Sequence, residues 1–281
     1  MLKVKPVLIL HGGAGPRTPS DARHAEIQKK LRRILDAAYA RLLRSTALEA
    51  AALAVRMLED DPYFNAGTGA CLQADGRARL SASVMDGDSG RFAAVINVEN
   101  IKNPVRIAQA LLKEKSRVLD GAGAAKFAKK LGMKKFDVRT AESLRRWKKQ
   151  ARGHDTVGAC ALDACGRLAC ATSTGGRGME FPGRVSDSGM PVANFADGFS
   201  AVCASGIGEE IIEEGLCIRI AQRVRDGMDL AEAFRRTFRE VRSNDRRMGA
   251  VGLDRRGRAA YAHTTESLLY AWRKGAKISI F

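Results

Sequence analysis

Residues 153–163 read Gly153-His154-Asp155-Thr156-Val157-Gly158-Ala159-Cys160-Ala161-Leu162-Asp163, and here a polar, basic segment gives way to an apolar β-like run. Upstream, residues 132–152 are basic and weakly periodic, which reads as an exposed linker extending to about 155 or as a surface helix. Downstream, residues 157–162 turn at Asp163-Ala164-Cys165-Gly166 and return as residues 168–173. That hairpin brings Thr156, Thr172 and Thr174 to one end. A threonine hydroxyl inside a chain is a poor nucleophile. At a free N-terminus its own α-amine, with a pKa of roughly 7.7–8.0, is the adjacent base. Chemistry at Thr156 therefore requires a cut before it, between Asp155 and Thr156. Read alone, the stretch is a loop entering a buried strand.

Outward from this point the chain alternates strand and helix signals. Residues 7–10 form an aliphatic strand that ends in His11-Gly12-Gly13-Ala14-Gly15, where His11 reads as a packed histidine. Residues 21–43 carry apolar side chains at helical spacing, and Thr46-Ala47-Leu48-Glu49 opens a second helix to about Leu58 with a capping-box pattern. Pro62 and Gly67 then force a loop. Residues 71–74 and 77–84 alternate around Asp75-Gly76 as a hairpin, followed by a strand over 92–98. Helices are expected from Asn103-Pro104 and over 123–131. In the second half, Gly-rich residues 175–194 form a loop, a strand spans 199–204, helices span 209–224 and 230–241, and strands close the chain over 248–253, 259–263 and 268–272. This pattern reaches a mixed α and β class.

Of 281 residues, 45% are hydrophobic, ample for a substantial core. The formal charge of +17 raises a nucleic-acid reading. Its bases are scattered over helix faces, aromatics are only 6%, and no zinc or RNA-recognition signature accompanies them, so no specific nucleic-acid partner is expected. The six cysteines form no CxxC pair and sit mostly in apolar runs, which fits a reducing cytoplasm. No signal peptide precedes the first strand, and no run reaches the ~18 apolar residues of a membrane span, so no membrane partner is expected.

The motifs Ala171-Thr172-Ser173-Thr174-Gly175-Gly176, Gly183-Arg184-Val185-Ser186-Asp187-Ser188 and Ser205-Gly206-Ile207-Gly208-Glu209 follow Thr156 in order. With His11-Gly12-Gly13-Ala14-Gly15, Phe64-Asn65-Ala66-Gly67-Thr68-Gly69 and Met85-Asp86-Gly87, nearly the whole chain resembles the threonine-type N-terminal-nucleophile hydrolases. The specific resemblance is to the plant-type asparaginase/isoaspartyl peptidase family and its relative glycosylasparaginase. It implies a single domain folded as a four-layer αββα sandwich, self-cleaved into 1–155 and 156–281. It implies Thr156 as nucleophile beside Thr174, Ser205 and Gly206 as oxyanion hole, Asn65 near the nucleophile, and Arg184 with Asp187 holding the α-carboxylate and α-ammonium of an aspartyl unit. Guanidinium is the right fork for a carboxylate, although two loop charges alone also read as a surface pair. No cofactor is needed for the chemistry. The resemblance implies a structural sodium ion on the main-chain carbonyls of Leu58, Glu59, Asp61, Phe64, Ala66 and Thr68, where a metal-free rigid loop reads equally well.

The expected substrates are L-asparagine and β-aspartyl (isoaspartyl) dipeptides, and the expected assembly is a homodimer of cleaved units. Departures from the family pattern are Ser205 for threonine, Ser186 for glycine, and Gly189-Met190-Pro191-Val192-Ala193-Asn194, which bear on the leaving group. His154-Asp155-Thr156 is closer to glycosylasparaginase, which keeps a glycosylasparaginase-like amidase open as an alternative. A catalytically idle binding protein of the same fold is another.

Overall fold

A computed structural model describes residues 4–17, 20–150 and 156–281. Asp155, the residue before the expected cut, lies outside the described residues, as does His154. The first half contains β1 (Val7–Gly15), α1 (Asp21–Leu42), α2 (Ala47–Asp60), β2 (Leu80–Asp86), β3 (Arg91–Val98), α3 (Pro104–Leu111), β4 (Val118–Leu119), α4 (Gly121–Lys130) and α5 (Ala141–Lys148). The second contains β5 (Val157–Leu162), β6 (Leu168–Thr174), β7 (Asn194–Ala196), β8 (Ser200–Gly206), α6 (Gly208–Glu214), α7 (Leu216–Arg225), α8 (Leu230–Ser243), β9 (Met248–Asp254), β10 (Ala259–His263), β11 (Ser267–Lys274) and β12 (Lys277–Ile280).

These strands make a mixed α and β fold with two sheets. One has eight strands in the order β12-β11-β1-β5-β6-β2-β3-β4, and the other has four, β10-β9-β8-β7. Strand periodicity of two decides what each face meets. In β1, Leu8 and Leu10 join the cluster formed with Leu31, Leu35 and Val55 of α1 and α2, whereas Val7 and Ile9 join Cys203, Val251 and Leu253 of the smaller sheet. In β5, Val157, Ala159 and Ala161 face the helices and Cys160 and Leu162 face the other sheet. The smaller sheet repeats the logic: Val202, Ala204 and Ala250 pack with Ile220, Phe234 and Phe238 of α7 and α8.

Several local expectations are met by side chains that do what their position requires. Thr46 accepts from Glu49 N at 3.2 Å and caps α2, while the Glu49 carboxylate pairs with Arg41 at 3.3 Å rather than closing the capping box. Val157–Leu162 pairs antiparallel with Leu168–Thr174, with Val157 opposite Ser173, as the Asp163 turn implied. Other expectations are corrected. The turn at Asp75-Gly76 closes through Gly76 N to Gln73 O, yet residues 71–74 form no strand, because β2 already has β3 and β6 as neighbours. The helix expected over 209–224 is broken at Gly215, whose φ of +56° is left-handed and ends α6. Of the two readings of residues 132–152, exposed linker or surface helix, the helix holds over Ala141–Lys148: α5 is capped reciprocally by Thr140 and Ser143 and attached through Trp147 Nε1 to Ala74 O at 3.3 Å. Among the described residues no helix is long and apolar enough to cross a membrane.

Candidate active site

Counting by twos from Cys160 and Cys170 carries the intersheet face to Thr156 and Thr174, and counting from Cys203 carries it to Ser205. The three hydroxyls consequently meet at one end of the space between the sheets. Thr156 Oγ1 and Thr174 Oγ1 are 3.3 Å apart, and Thr174 Oγ1 also accepts from Gly176 N at 3.1 Å. Thr156 N donates to Ser205 Oγ at 3.2 Å. All three residues are buried.

Ser205 Oγ accepts a second bond, from Ala14 N at 3.0 Å. A hydroxyl has two acceptor lone pairs and one proton, so the proton of Ser205 is the function left over for donation. The two N–H groups fix the hydroxyl that a β-methyl would otherwise restrict, so serine in place of threonine holds its orientation here. Gly206 follows with φ of +148°, and a Cβ there would lie 2.5 Å from Arg247 O. Only glycine fits this crossing of β8 and β9.

Asn65 is one step removed from Thr156. Its amide donates to Gly176 O and accepts from Cys71 N at 2.8 Å, while its backbone O accepts from Gly175 N at 2.9 Å. It braces the Gly175–Gly176 segment on which Thr174 depends, rather than bonding Thr156. Gly175 allows this approach, since its Cβ would sit 2.7 Å from Asn65 Oδ1. His11 lies deeper on the same face. Burial lowers its pKa from 6.5 to about 3, although the nearby Thr156 carbonyl favours the charged ring, so it stays neutral.

Arg184 and Asp187 line the same cleft as Thr156, Thr174, Ser186, Gly206 and Gly208. They do not form a salt bridge with each other. Arg184 Nε donates to Glu209 Oε1 at 2.8 Å and Nη1 lies 3.6 Å from Glu180 Oε1. Asp187 Oδ1 accepts from Ser186 Oγ at 3.1 Å, so the serine that departs from the family pattern steadies the carboxylate. What remains is one free buried donor, Arg184 Nη2, and one free buried acceptor, Asp187 Oδ2. Burial raises the Asp187 pKa, and the positive charge of Arg184 opposes the shift. The cleft itself is tight, about 10 Å³.

Sequence reading missed Gly208, Arg177, Glu180 and Glu209. A Cβ on Gly208 would fall 2.5 Å from Asp187 Oδ1 and 2.6 Å from Arg184 Nη2, so its absence lets the pair approach α6. The glycine was visible in Ser205-Gly206-Ile207-Gly208-Glu209, but what it accommodates was not. The departing residues 189–194 line neither this cleft nor its neighbour. Gly189 packs against Ile96 and Asn194 bonds to Ser83, so they serve packing around β2 and β3.

In the loop after α2 two glycines lie tight against backbone carbonyls. A Cβ on Gly67 would sit 2.4 Å from Glu59 O, and one on Gly69 would sit 1.9 Å from Phe64 O and 2.7 Å from Pro62 O. The Leu58, Asp61, Phe64 and Ala66 carbonyls each accept one loop N–H. Among the described residues no group of three or more His, Cys, Asp or Glu side chains is arranged for a metal.

The sequence profile described as asparaginase matches residues 4–154 and 148–281. An isoaspartyl peptidase/L-asparaginase of Nostoc is 39% identical over 98% of this chain and 94% of its own length. A plant-type L-asparaginase of Pyrobaculum calidifontis is 35% identical over 96% of this chain and 98% of its own. An isoaspartyl peptidase/L-asparaginase of Bos taurus is 32% identical over 98% and 95% respectively. Two sheets with threonine hydroxyls at their common end, matched along both halves, leave one conclusion. The chain belongs to the asparaginase family.

Proposed function

We propose that this protein is an amidohydrolase that cleaves the side-chain amide of L-asparagine and the β-linkage of isoaspartyl dipeptides, releasing L-aspartate. The observation that carries the reading is the pair of unsatisfied groups in the Thr156 cleft, Arg184 Nη2 and Asp187 Oδ2. A buried donor and a buried acceptor left open together match an α-carboxylate and an α-ammonium, and such vacancies are otherwise costly. The cleft widens to admit an aspartyl unit, which then directs its side-chain carbonyl to the threonine hydroxyls.

Cleavage between Asp155 and Thr156 frees the α-amine of Thr156, which takes the hydroxyl proton as Oγ1 attacks the carbonyl carbon. An ester to Thr156 forms, the C–N bond breaks, and the proton passes to the leaving nitrogen. Water then resolves the ester by the reverse route. Ser205 steadies the amine through its oxygen and offers its spare proton, with Gly206 N–H, to the oxyanion. Thr174 holds the nucleophile's hydroxyl. We extend the reading to a four-layer αββα sandwich, supported by one core cluster between the sheets and one on the outer side of each. A sodium ion in the loop after α2 is compatible with carbonyls that each keep a lone pair beyond the one N–H they accept, and would stiffen the loop that carries Asn65.

The test is intact-mass analysis of purified protein during incubation, with aspartate release measured on the same samples. Fragments 1–155 and 156–281 should appear, and release from L-asparagine and β-aspartyl dipeptides should rise with them. Thr156→Ala should remain full length and inactive. Persistent full-length protein, or equal turnover of α- and β-aspartyl dipeptides, would count against the reading.

A further inference from the structure

The Thr156 cleft has a larger neighbour. Gly206 and Arg177 belong to both walls, and beyond them a pocket of about 370 Å³ extends past the end of β1 to Arg247, Thr264, Thr265 and Glu266. If the aspartyl unit occupies the Arg184 and Asp187 side, the group leaving from its side-chain carbonyl departs across Gly206 into this second space. For L-asparagine that group is ammonia, a single heavy atom. A water's share of liquid volume is only about 30 Å³, and ligand pockets typically run to about 300–1,000 Å³. The second pocket therefore has room for an amino-acid residue.

Its walls are fixed by strand register. Met248 of β9 lies opposite Gly206, Ile207 N donates to Arg247 O at 3.0 Å, and Met248 N donates to Thr264 Oγ1 at 3.1 Å. The Arg247 backbone is thus tied to β8 on one side and the β10–β11 turn on the other. Its side chain is exposed and, among the described residues, its guanidinium has no hydrogen-bond or ion-pair partner, which leaves it available at the pocket wall. Arg177 is only partly used: one Nη pairs with Glu209 at 3.6 Å, while its buried Nε has no partner. Glu266 is committed to Arg17 N at 3.1 Å and would repel a second acid on an incoming residue.

Resting on the isoaspartyl reading above, we infer that this pocket is the subsite for the residue leaving from a β-aspartyl dipeptide, and that Arg247, assisted by Arg177, binds that residue's free α-carboxylate. The preferred substrates are then β-aspartyl dipeptides with a free C-terminus and a neutral second side chain. The reaction itself is unchanged: the aspartyl carbonyl is transferred to Thr156 Oγ1, and the second residue leaves as a free amino acid carrying the proton. Arg247 acts on binding and orientation of that residue alone.

The experiment compares kcat/KM for β-aspartyl-alanine and its C-terminal amide on self-cleaved protein, in the parent, Arg247→Gln and Arg247→Lys. Loss of one charge-assisted contact predicts that the parent favours the free acid by about tenfold or more. That ratio should fall toward one in Arg247→Gln, and Arg247→Lys should restore part of it, since charge survives but the planar fork does not. Because the measured quantity is a ratio between two substrates of one enzyme, a general loss of folded protein does not move it. Equal turnover of acid and amide by the parent, or an unchanged ratio in Arg247→Gln, overturns the subsite while leaving the isoaspartyl activity standing. Inactivity of the cleaved parent toward L-asparagine and both dipeptides overturns the isoaspartyl reading and the subsite together.

Discussion

Asp187 and Arg184 face the same cleft but owe their readiness to different neighbours. Ser186 holds one oxygen of Asp187 and leaves the other open, whereas Glu209 and Glu180 hold two edges of Arg184 and leave Nη2 open. Arg184→Lys keeps the charge but cannot reproduce this fork, and loss of a charged hydrogen bond of about 1.5–3 kcal/mol predicts a fall of about ten- to a hundredfold in kcat/KM. Self-cleavage, followed by mass, should proceed. Asp187 must be ionised to accept from an α-ammonium. Burial raises its pKa, so the acidic limb of kcat/KM against pH should lie above the ordinary aspartate range near 3.9, with activity lost as pH falls. An acid limb absent in Asp187→Asn, which also lowers kcat/KM, would assign it. The residue identities were legible through the family resemblance of the flanking motifs, since two loop charges alone also read as a surface pair. Their partners were not, since Glu209 lies 25 positions from Arg184 and only the packing of α6 brings it close.

At the scale of elements, the end of α2 shows how packing overrides a side chain's usual behaviour. Glu59 is fully buried, accepts from Val105 N at 3.1 Å at the start of α3, and has a second oxygen without a partner. Burial pushes its pKa from the ordinary 4.5 to about 8, against the opposing influence of nearby Ser173, Val105 N and Asn103. Between those values the folded chain holds a proton that the unfolded chain has released. Stability should therefore decline as pH rises from about 4.5 to about 8. Glu59→Gln keeps the shape and the acceptor without the titration, so its urea midpoint should match the parent near pH 4.5, exceed it at pH 8, and vary less between them. A parent and variant with parallel pH profiles would show that Glu59 is not the group responsible. The contrast with sequence reading is local. The hairpin after Thr156 was legible because its turn and both strands are contiguous, whereas the break at Gly215 was hidden by apolar spacing that continues through it. Short β4, β7 and β12 carry too few residues for a period to register.

Across the whole molecule, the two halves of the chain are woven rather than placed side by side. In the larger sheet β1 lies between β5 and β11, and β2 pairs with β6, so first-half strands have second-half neighbours at three seams. Alternation in a sequence tells which face a strand buries but not which strand lies beside it, so this interleaving was beyond sequence reading alone. It has a direct consequence for a chain cut before Thr156. Separating the halves would expose Val7 and Ile9, both fully buried against the smaller sheet, at about 1.5–3 kcal/mol apiece, and would strip β1 of hydrogen bonds on both edges. No comparable gain awaits either half alone, since the cluster beneath α1 and α2 draws on Val55 and Leu58 from one and Ala159 and Ala171 from the other. The cleaved protein should therefore elute as one species containing both fragments; the family resemblance adds the proposal, read by light scattering, of at least two cleaved units per particle. It should also unfold in urea as one transition by fluorescence and circular dichroism alike. Fragments that separate in native buffer, or two resolved transitions assigned to the individual fragments, would refute a core held jointly across the cut. A single transition with a particle of only one cleaved unit would retain the joint core and reject the dimer.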